Sequence, residues 1–260
     1  MQPKTSWIFR VCRGVVRWLS LGYLQVRVEG LDAIPSQGGA VVAGNHASVL
    51  DGILLLAVSP RPVRFLVAED MYEHPFLKPF FRAMGCIPVL RRNAHNGGAL
   101  RMAVEALETG ELIGIFPEGT IHRGGSLQQI RQGVALLALK TGLPVVPLGI
   151  CGSGEAFPDG ARAPHAWPIS MRFGGPRTYA RVASELIPEV QLAETLEEIR
   201  QLLLQALADT PLPAAAARPA LKEFQLLLST LVVVPLAWFL TLTAHPSLDP
   251  IKLGTQGDAR

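Results

Sequence analysis

His46 and Asp51 stand five positions apart in Asn45-His46-Ala47-Ser48-Val49-Leu50-Asp51, directly after an apolar run. An imidazole held by a carboxylate can serve as a general base. The carboxylate fixes one ring nitrogen as a donor and leaves the other with its lone pair. Within one helix the two side chains would point about 140° apart at 3.6 residues per turn. They meet if His46 lies in the turn before a helix and Asp51 in its first turn. The helix N-terminus would then favour negative charge nearby. A second reading makes Ser48 and Asp51 a capping box and leaves His46 incidental. The spacing by itself is compatible with both.

Three further stretches bear on the choice. Gly85-Cys86-Ile87-Pro88-Val89-Leu90-Arg91-Arg92 puts two arginines just past a short apolar run, a placement suited to bidentate capture of a phosphate or simply to a solvated strand end. In Phe116-Pro117-Glu118-Gly119-Thr120 the proline stops a strand ladder and the glycine permits close backbone approach. Val145-Val146-Pro147-Leu148 reads as a buried strand interrupted by proline.

In this order the four stretches resemble the glycerolipid acyltransferase family, which includes the 1-acylglycerol-3-phosphate acyltransferases. The family's HxxxxD pattern matches His46 and Asp51, and its arginine-bearing motif matches Gly85 to Arg91. Its Phe-Pro-Glu-Gly-Thr motif matches residues 116–120 without substitution, and its valine-proline motif matches Val146 and Pro147. The resemblance covers roughly residues 26–185.

The resemblance implies an O-acyltransferase acting in phospholipid biosynthesis. His46 would deprotonate the hydroxyl of 1-acylglycerol 3-phosphate, which attacks the thioester of acyl-CoA or acyl-carrier protein to give phosphatidate. Asp51 would orient His46, Arg91 would bind the acceptor phosphate, and Glu118, Gly119 and Thr120 would shape the acceptor site. It implies no metal, no cofactor beyond the thioester co-substrate, and no covalent acyl-enzyme. The chain departs from the family at Ile121, where arginine is frequent and the cation comes later at Arg123. It departs again at Arg131, where lysine is usual, and at Glu69 and Asp70, where a lysine is frequent. Those changes keep another lysolipid or glycerol 3-phosphate open as the acceptor.

The elements that must position these residues are legible as alternation. Short β-branched runs at 25–28, 40–44, 64–68, 86–90, 112–116, 145–150 and 169–173 alternate with helical patterns at 49–58, 75–83, 98–109, 127–141 and 192–207. This predicts an α/β fold with a mixed, largely parallel sheet and flanking helices, as in the glycerolphosphate acyltransferase-like domains that the motifs resemble. Sites in such sheets gather at the carboxyl ends of the strands.

Hydrophobic residues make up 49% of the 260 positions and charged residues 17%, below the roughly one quarter usual for soluble domains. Around residues 7–19, Arg10, Arg13 and Arg17 oppose a broad apolar face with Trp7 and Trp18, the pattern of a helix on an anionic bilayer surface. Residues 224–243 carry no charge and match the roughly 20 residues of a spanning helix, with Arg218 and Lys222 ahead of them. Pro235 and Gln225 weaken the span, so a helix lying in the interface competes.

The expected organisation is an amphipathic helix at 1–24, an acyltransferase domain at 25–210, a linker at 211–220, a hydrophobic helix at 221–245 and a tail at 246–260. The protein would be membrane-associated with its site on the cytoplasmic side. A formal charge of +3 gives no argument for nucleic acid. Three cysteines without a CxxC pair and six histidines without HExxH spacing give none for a disulfide framework or zinc. Two readings of another class remain. Gly152-Ser153-Gly154 matches in part the frame of a serine lipid hydrolase, with Cys151 where that frame is offset, and the fold could serve a non-catalytic lipid-binding protein.

Overall fold

The computed structural model describes residues 24–90, 96–122, 126–158, 161, 164–184 and 186–211, together with Gly14. Seven strands form one sheet: β1 (Val26–Glu29), β2 (Ala40–Gly44), β3 (Val63–Ala68), β4 (Ile87–Val89), β5 (Leu112–Ile115), β6 (Val145–Cys151) and β7 (Ile169–Phe173). Their order across the sheet is β1-β7-β6-β2-β5-β3-β4. Every pairing is parallel except β6 with β7. The helices are α1 (Leu50–Val58), α2 (Glu69–Tyr72), α3 (Lys78–Ala83), α4 (Gly97–Glu108), α5 (Gly133–Thr141), α6 (Ser153–Ala156) and α7 (Glu189–Ala208).

β2 shows why the strands are continuous apolar runs. All five of its residues are buried, and successive side chains point to opposite faces. Ala40 and Val42 pack with Leu50, Leu54, Leu55 and Val58 of α1. Val41 and Ala43 pack with α4, α5 and α7 through Ala103, Leu107, Val134, Leu137, Ile199 and Leu203. The result is helix, sheet and helix in three layers. Each fully buried leucine, such as Leu54 or Leu137, contributes roughly 1.5–3 kcal/mol. At the amino ends of the strands, the Arg61 guanidinium donates to the carbonyls of Pro35, Gly38 and Gly110. It ties the approach to β2 to the approach to β5.

Proline in a central strand is rare because it cannot donate to the ladder. Pro147 sits in β6 where this does no harm. Val145 bonds Arg177 in both directions, and Gly174 donates to the Pro147 carbonyl. Residues 174–176 therefore lie opposite only 146–147 before the regular register begins at Leu148 and Phe173, which makes a bulge. The missing N–H of Pro147 faces that bulge.

The structure departs from expectation in three places. The helix expected over 127–141 begins only at Gly133, because Gln128 and Arg131 spend their amides on Glu118 and Pro117 instead of on a helical ladder. Leu127 and Ile130 are buried all the same, which explains the misleading apolar pattern. The helix expected at 75–83 is preceded by a turn in which Leu77 and Lys78 both donate to the His74 carbonyl. The short helices α2 and α6 have no counterpart in the helical patterns of the sequence. The helices expected at 1–24 and 221–245, the linker and the tail lie outside the described residues, apart from Gly14, Leu24 and Pro211. Among the described residues no helix is long and apolar enough to cross a membrane.

Gly149 in β6 lies directly under α7. A Cβ there would meet the Ala206 carbonyl oxygen at 2.4 Å and the Thr210 hydroxyl at 2.2 Å. Gly149→Ala is expected to destabilise the fold by about 1–3 kcal/mol through forced separation of strand and helix. Gly98→Ala, with nothing within 4 Å of its Cβ, should be neutral or stabilising. Urea denaturation midpoints of the two variants check this.

Candidate active site

β2 and β5 are neighbours, but the chain leaves them toward opposite faces of the sheet. β2 leads into α1 on one face, and β5 leads by way of residues 116–132 into α5 on the other. Such a divergence opens a crevice at the strand carboxyl ends. His46 follows β2 and Glu118 follows β5, so both stand at that crevice.

His46 lies in the turn before α1, and Asp51 is the second residue of the helix. The imidazole Nδ1 is 2.9 Å from Asp51 Oδ2. The same oxygen accepts the backbone N–H groups of Ala47 and Ser48, each at 2.8 Å. The carboxylate half of the capping box is therefore present beside the His46 contact, while the Ser48 hydroxyl accepts from the Leu50 N–H at 3.3 Å and not from that of Asp51. Asp51 caps the turn as a capping-box carboxylate does, and it also holds the ring. Asp51 is fully buried, and three donors together with the helix N-terminus replace its lost hydration. Its other oxygen, Oδ1, is buried with no hydrogen-bond partner among the described residues. An ionised carboxylate only accepts, so this contact selects the tautomer in which Nδ1 donates to Asp51 and a neutral ring offers Nε2 as an acceptor.

The main chain of His46 is held at both its polar atoms by the segment after β5. Its N–H donates to Glu118 Oε1 at 2.8 Å, and its carbonyl accepts the His122 N–H at 2.8 Å. Glu118 Oε2 accepts the Gln128 N–H at 3.1 Å. The imidazole stacks on Phe116, with ring centroids 4.4 Å apart and 14° between planes. From the other side Asn45, which is buried, pairs its amide with the backbone of Ile150. Its Nδ2 donates to the carbonyl at 2.9 Å, and its Oδ1 accepts the N–H at 2.7 Å. Sequence reading gives no role to Asn45, His122 or Gln128, and none to Phe116 beyond its place in the motif. A buried amide closing an otherwise apolar strand is the available signal for Asn45.

The structure thus brings His46, Asp51 and Glu118 together. Both oxygens of Glu118 serve backbone amides, so this carboxylate positions the histidine turn. Gly119 has φ +69, and a Cβ on it would come within 2.6 Å of Arg131 Nε, which places that side chain against the loop. The Thr120 hydroxyl is exposed and pairs with His122 Nε2 at 2.8 Å. Arg91 lies outside the described residues, as does Arg123.

The serine hydrolase reading fails on geometry. Ser153 Oγ is buried and has no hydrogen-bond partner among the described residues, so no base there activates it. The Cys151 thiol is pushed up by burial and then by Glu155, which keeps it from being a thiolate at neutral pH.

Replacing Glu118 by Ala strands the amides of His46 and Gln128. A fully buried unpaired donor costs roughly 1–3 kcal/mol, and the loss here should fall toward the lower end because both bonds are only part-buried and Gln128 is exposed. Denaturant midpoints should show that loss, with a smaller one for Glu118→Gln, whose single carbonyl oxygen still serves one amide.

The family model described as Acyltransferase matches residues 25–151. A 1-acyl-sn-glycerol-3-phosphate acyltransferase of Borreliella burgdorferi is 29% identical over 151 residues, covering 58% of this chain and 60% of that protein. The chloroplastic 1-acyl-sn-glycerol-3-phosphate acyltransferase LPAT1 of Arabidopsis thaliana is 30% identical, covering 55% of this chain and 42% of its own length. The chain spans about half the length of the curated relatives it matches. The crystal structure of the acyltransferase PlsC from Thermotoga maritima superposes with a TM-score of 0.61 at 24% identity, covering 77% of this chain and 80% of that one, a likeness of fold. The matched segment ends at the last residue of β6 and encloses both His46–Asp51 and residues 116–120, so this half of the chain is similar to the Acyltransferase family.

Proposed function

We propose that this protein transfers a fatty acyl group from acyl-CoA or acyl-carrier protein to the hydroxyl of 1-acylglycerol 3-phosphate, forming phosphatidate. The observation that carries the reading is the His46 Nδ1 to Asp51 Oδ2 contact at 2.9 Å; when Nδ1 donates to the carboxylate, the neutral ring presents Nε2 as its acceptor. Two relatives that share this segment carry that activity in their names.

In the proposed reaction Nε2 of His46 takes the acceptor's hydroxyl proton as the oxygen attacks the thioester carbonyl carbon. Asp51 stabilises the imidazolium so formed. The tetrahedral intermediate collapses, the C–S bond breaks, and the thiolate leaves with the proton from Nε2. The new C–O bond completes the ester. No side chain is acylated, in keeping with the buried Ser153 and the protonated Cys151. Arg91, assigned from its motif, would bind the acceptor phosphate. Gly119 and Thr120 would border the acceptor beside Arg131. The acceptor and product would reside in a bilayer, which makes the bilayer a partner, and Arg218 and Lys222 ahead of residues 224–243 favour a site on its cytoplasmic side.

A second acceptor is favoured by one observation. Glu69 and Asp70 begin α2 at the carboxyl end of β3, the same end of the sheet as His46. Two acids there disfavour a dianionic head group and would suit a zwitterionic lysolipid better.

His46→Ala should lower transfer by about 10²–10⁴-fold. The thermal midpoint should stay nearly unchanged, because the ring is partly exposed and packs mainly on Phe116. Near-wild-type transfer by purified His46→Ala would refute the reading. Arg91→Ala should raise the apparent KM for a phosphate-bearing acceptor more than that for the thioester, and equal effects on both would detach Arg91 from the phosphate.

A further inference from the structure

We propose that Phe116 stabilises the positively charged form of His46 through a face-to-face cation–π stack, and so supports the imidazolium formed during transfer as well as the ring's position. The proposal rests on the acyl-transfer reading, in which Nε2 gains the acceptor's proton and then gives it to the leaving thiolate.

The geometry meets the requirement for such a stack. The two ring centroids are 4.4 Å apart with 14° between planes. A cation within roughly 6 Å of an aromatic centroid is drawn to the electron-rich face. A neutral imidazole gains mainly dispersion from that contact, which many apolar side chains would supply. Protonation adds an attraction that depends on the π-electrons of Phe116. Asp51 at the edge and Phe116 on the face therefore both favour the charged ring, and they come from different elements.

The Phe116 ring is held for this contact by glycines of β2 and α1. A Cβ on Gly44 would stand 3.4 Å from one of its atoms, and a Cβ on Gly52 3.8 Å from another. Phe65 stacks next to it, with centroids 6.5 Å apart and 8° between planes. Phe65 pairs with Gly114 across β3 and β5, where a Cβ would come within 2.7 Å of its ring. Glycines on three elements thus make room for near-parallel rings beside the imidazole. Phe116 is partly buried, which strengthens a cation–π contact by keeping water from it.

The charged and titratable groups around the ring are otherwise engaged or set apart. Asp51 holds Nδ1, Glu118 serves the amides of His46 and Gln128, the His122 ring pairs with Thr120, and Arg131 lies against Gly119. Glu69 and Asp70 begin α2 at the same end of the sheet and are exposed. An isosteric change at Phe116 alters the π-face and leaves each of these charges as it is.

The test replaces Phe116 in the full chain by monofluoro-, difluoro- and trifluorophenylalanine, which keep the ring's shape while fluorine draws electron density from its face. On the plateau of the pH–rate profile, kcat should fall stepwise, to about 3–30-fold below wild type with three fluorines, while KM for both substrates and the thermal midpoint hold. The His46 ring resonance, assigned by its loss in His46→Ala, is titrated by NMR alongside. In the trifluorophenylalanine protein the ring should hold its proton about threefold or more less tightly. Trifluorophenylalanine in place of Phe81, buried in another cluster beside Tyr72, should leave both quantities at their wild-type values. The proposal is overturned if either quantity stays constant across the Phe116 series, if the thermal midpoint falls in step with kcat, or if the Phe81 replacement costs as much. Absence of transfer in wild type overturns the acyl-transfer reading instead, and the titration then decides the stack by itself.

Discussion

A buried carboxylate must be given hydrogen bonds to replace its water, and this site is organised around two of them. Asp51 takes its donors from the turn that carries His46 and from the imidazole itself. Glu118 takes its donors from the backbone of His46 and of Gln128. One carboxylate sets the ring and the other sets the main chain behind it. The imidazole is then confined by Phe116 on its face and Asp51 at its edge. A base so held does not have to search for its orientation when substrate arrives, which is where proximity gives rate.

The sheet supplies the geometry that lets two separate segments reach one histidine. Adjacent strands that send their helices to opposite faces leave their carboxyl ends uncovered. β6 closes the arrangement, because the Asn45 amide reads the backbone of Ile150 in both directions. Pro147 and its bulge show the same economy. The ladder is interrupted only where β7 has already slipped out of register.

Much of this is legible in the chain. Continuous apolar runs such as 40–44 and 145–150 are strands buried on both faces, and their bounds agree with the structure nearly to the residue. His46, Asp51 and Glu118 are visible as motif positions. The ambiguity between capping box and catalytic pair is physical, since Asp51 Oδ2 performs both tasks. What cannot be seen in the sequence is the direction in which Glu118 points. Its motif gives it to the acceptor, yet its oxygens are spent on amides that lie 72 and 10 positions away. Residues 127–132 mislead for a related reason, since Leu127 and Ile130 are buried from an irregular backbone whose amides bond outside it.

The Asn45–Ile150 pairing spans 105 positions, and the His46–Glu118 bond spans 72, whereas His46 and Asp51 are five apart. The pair that would perform the chemistry is local, but its aim is set by contacts between distant parts of the domain. Contacts of that separation form only after large loops have closed. During synthesis the histidine and aspartate therefore meet long before they are oriented. A nascent chain that has β2 and α1 but not yet β6 holds the reagents without the site, and competence arrives with the closing strands.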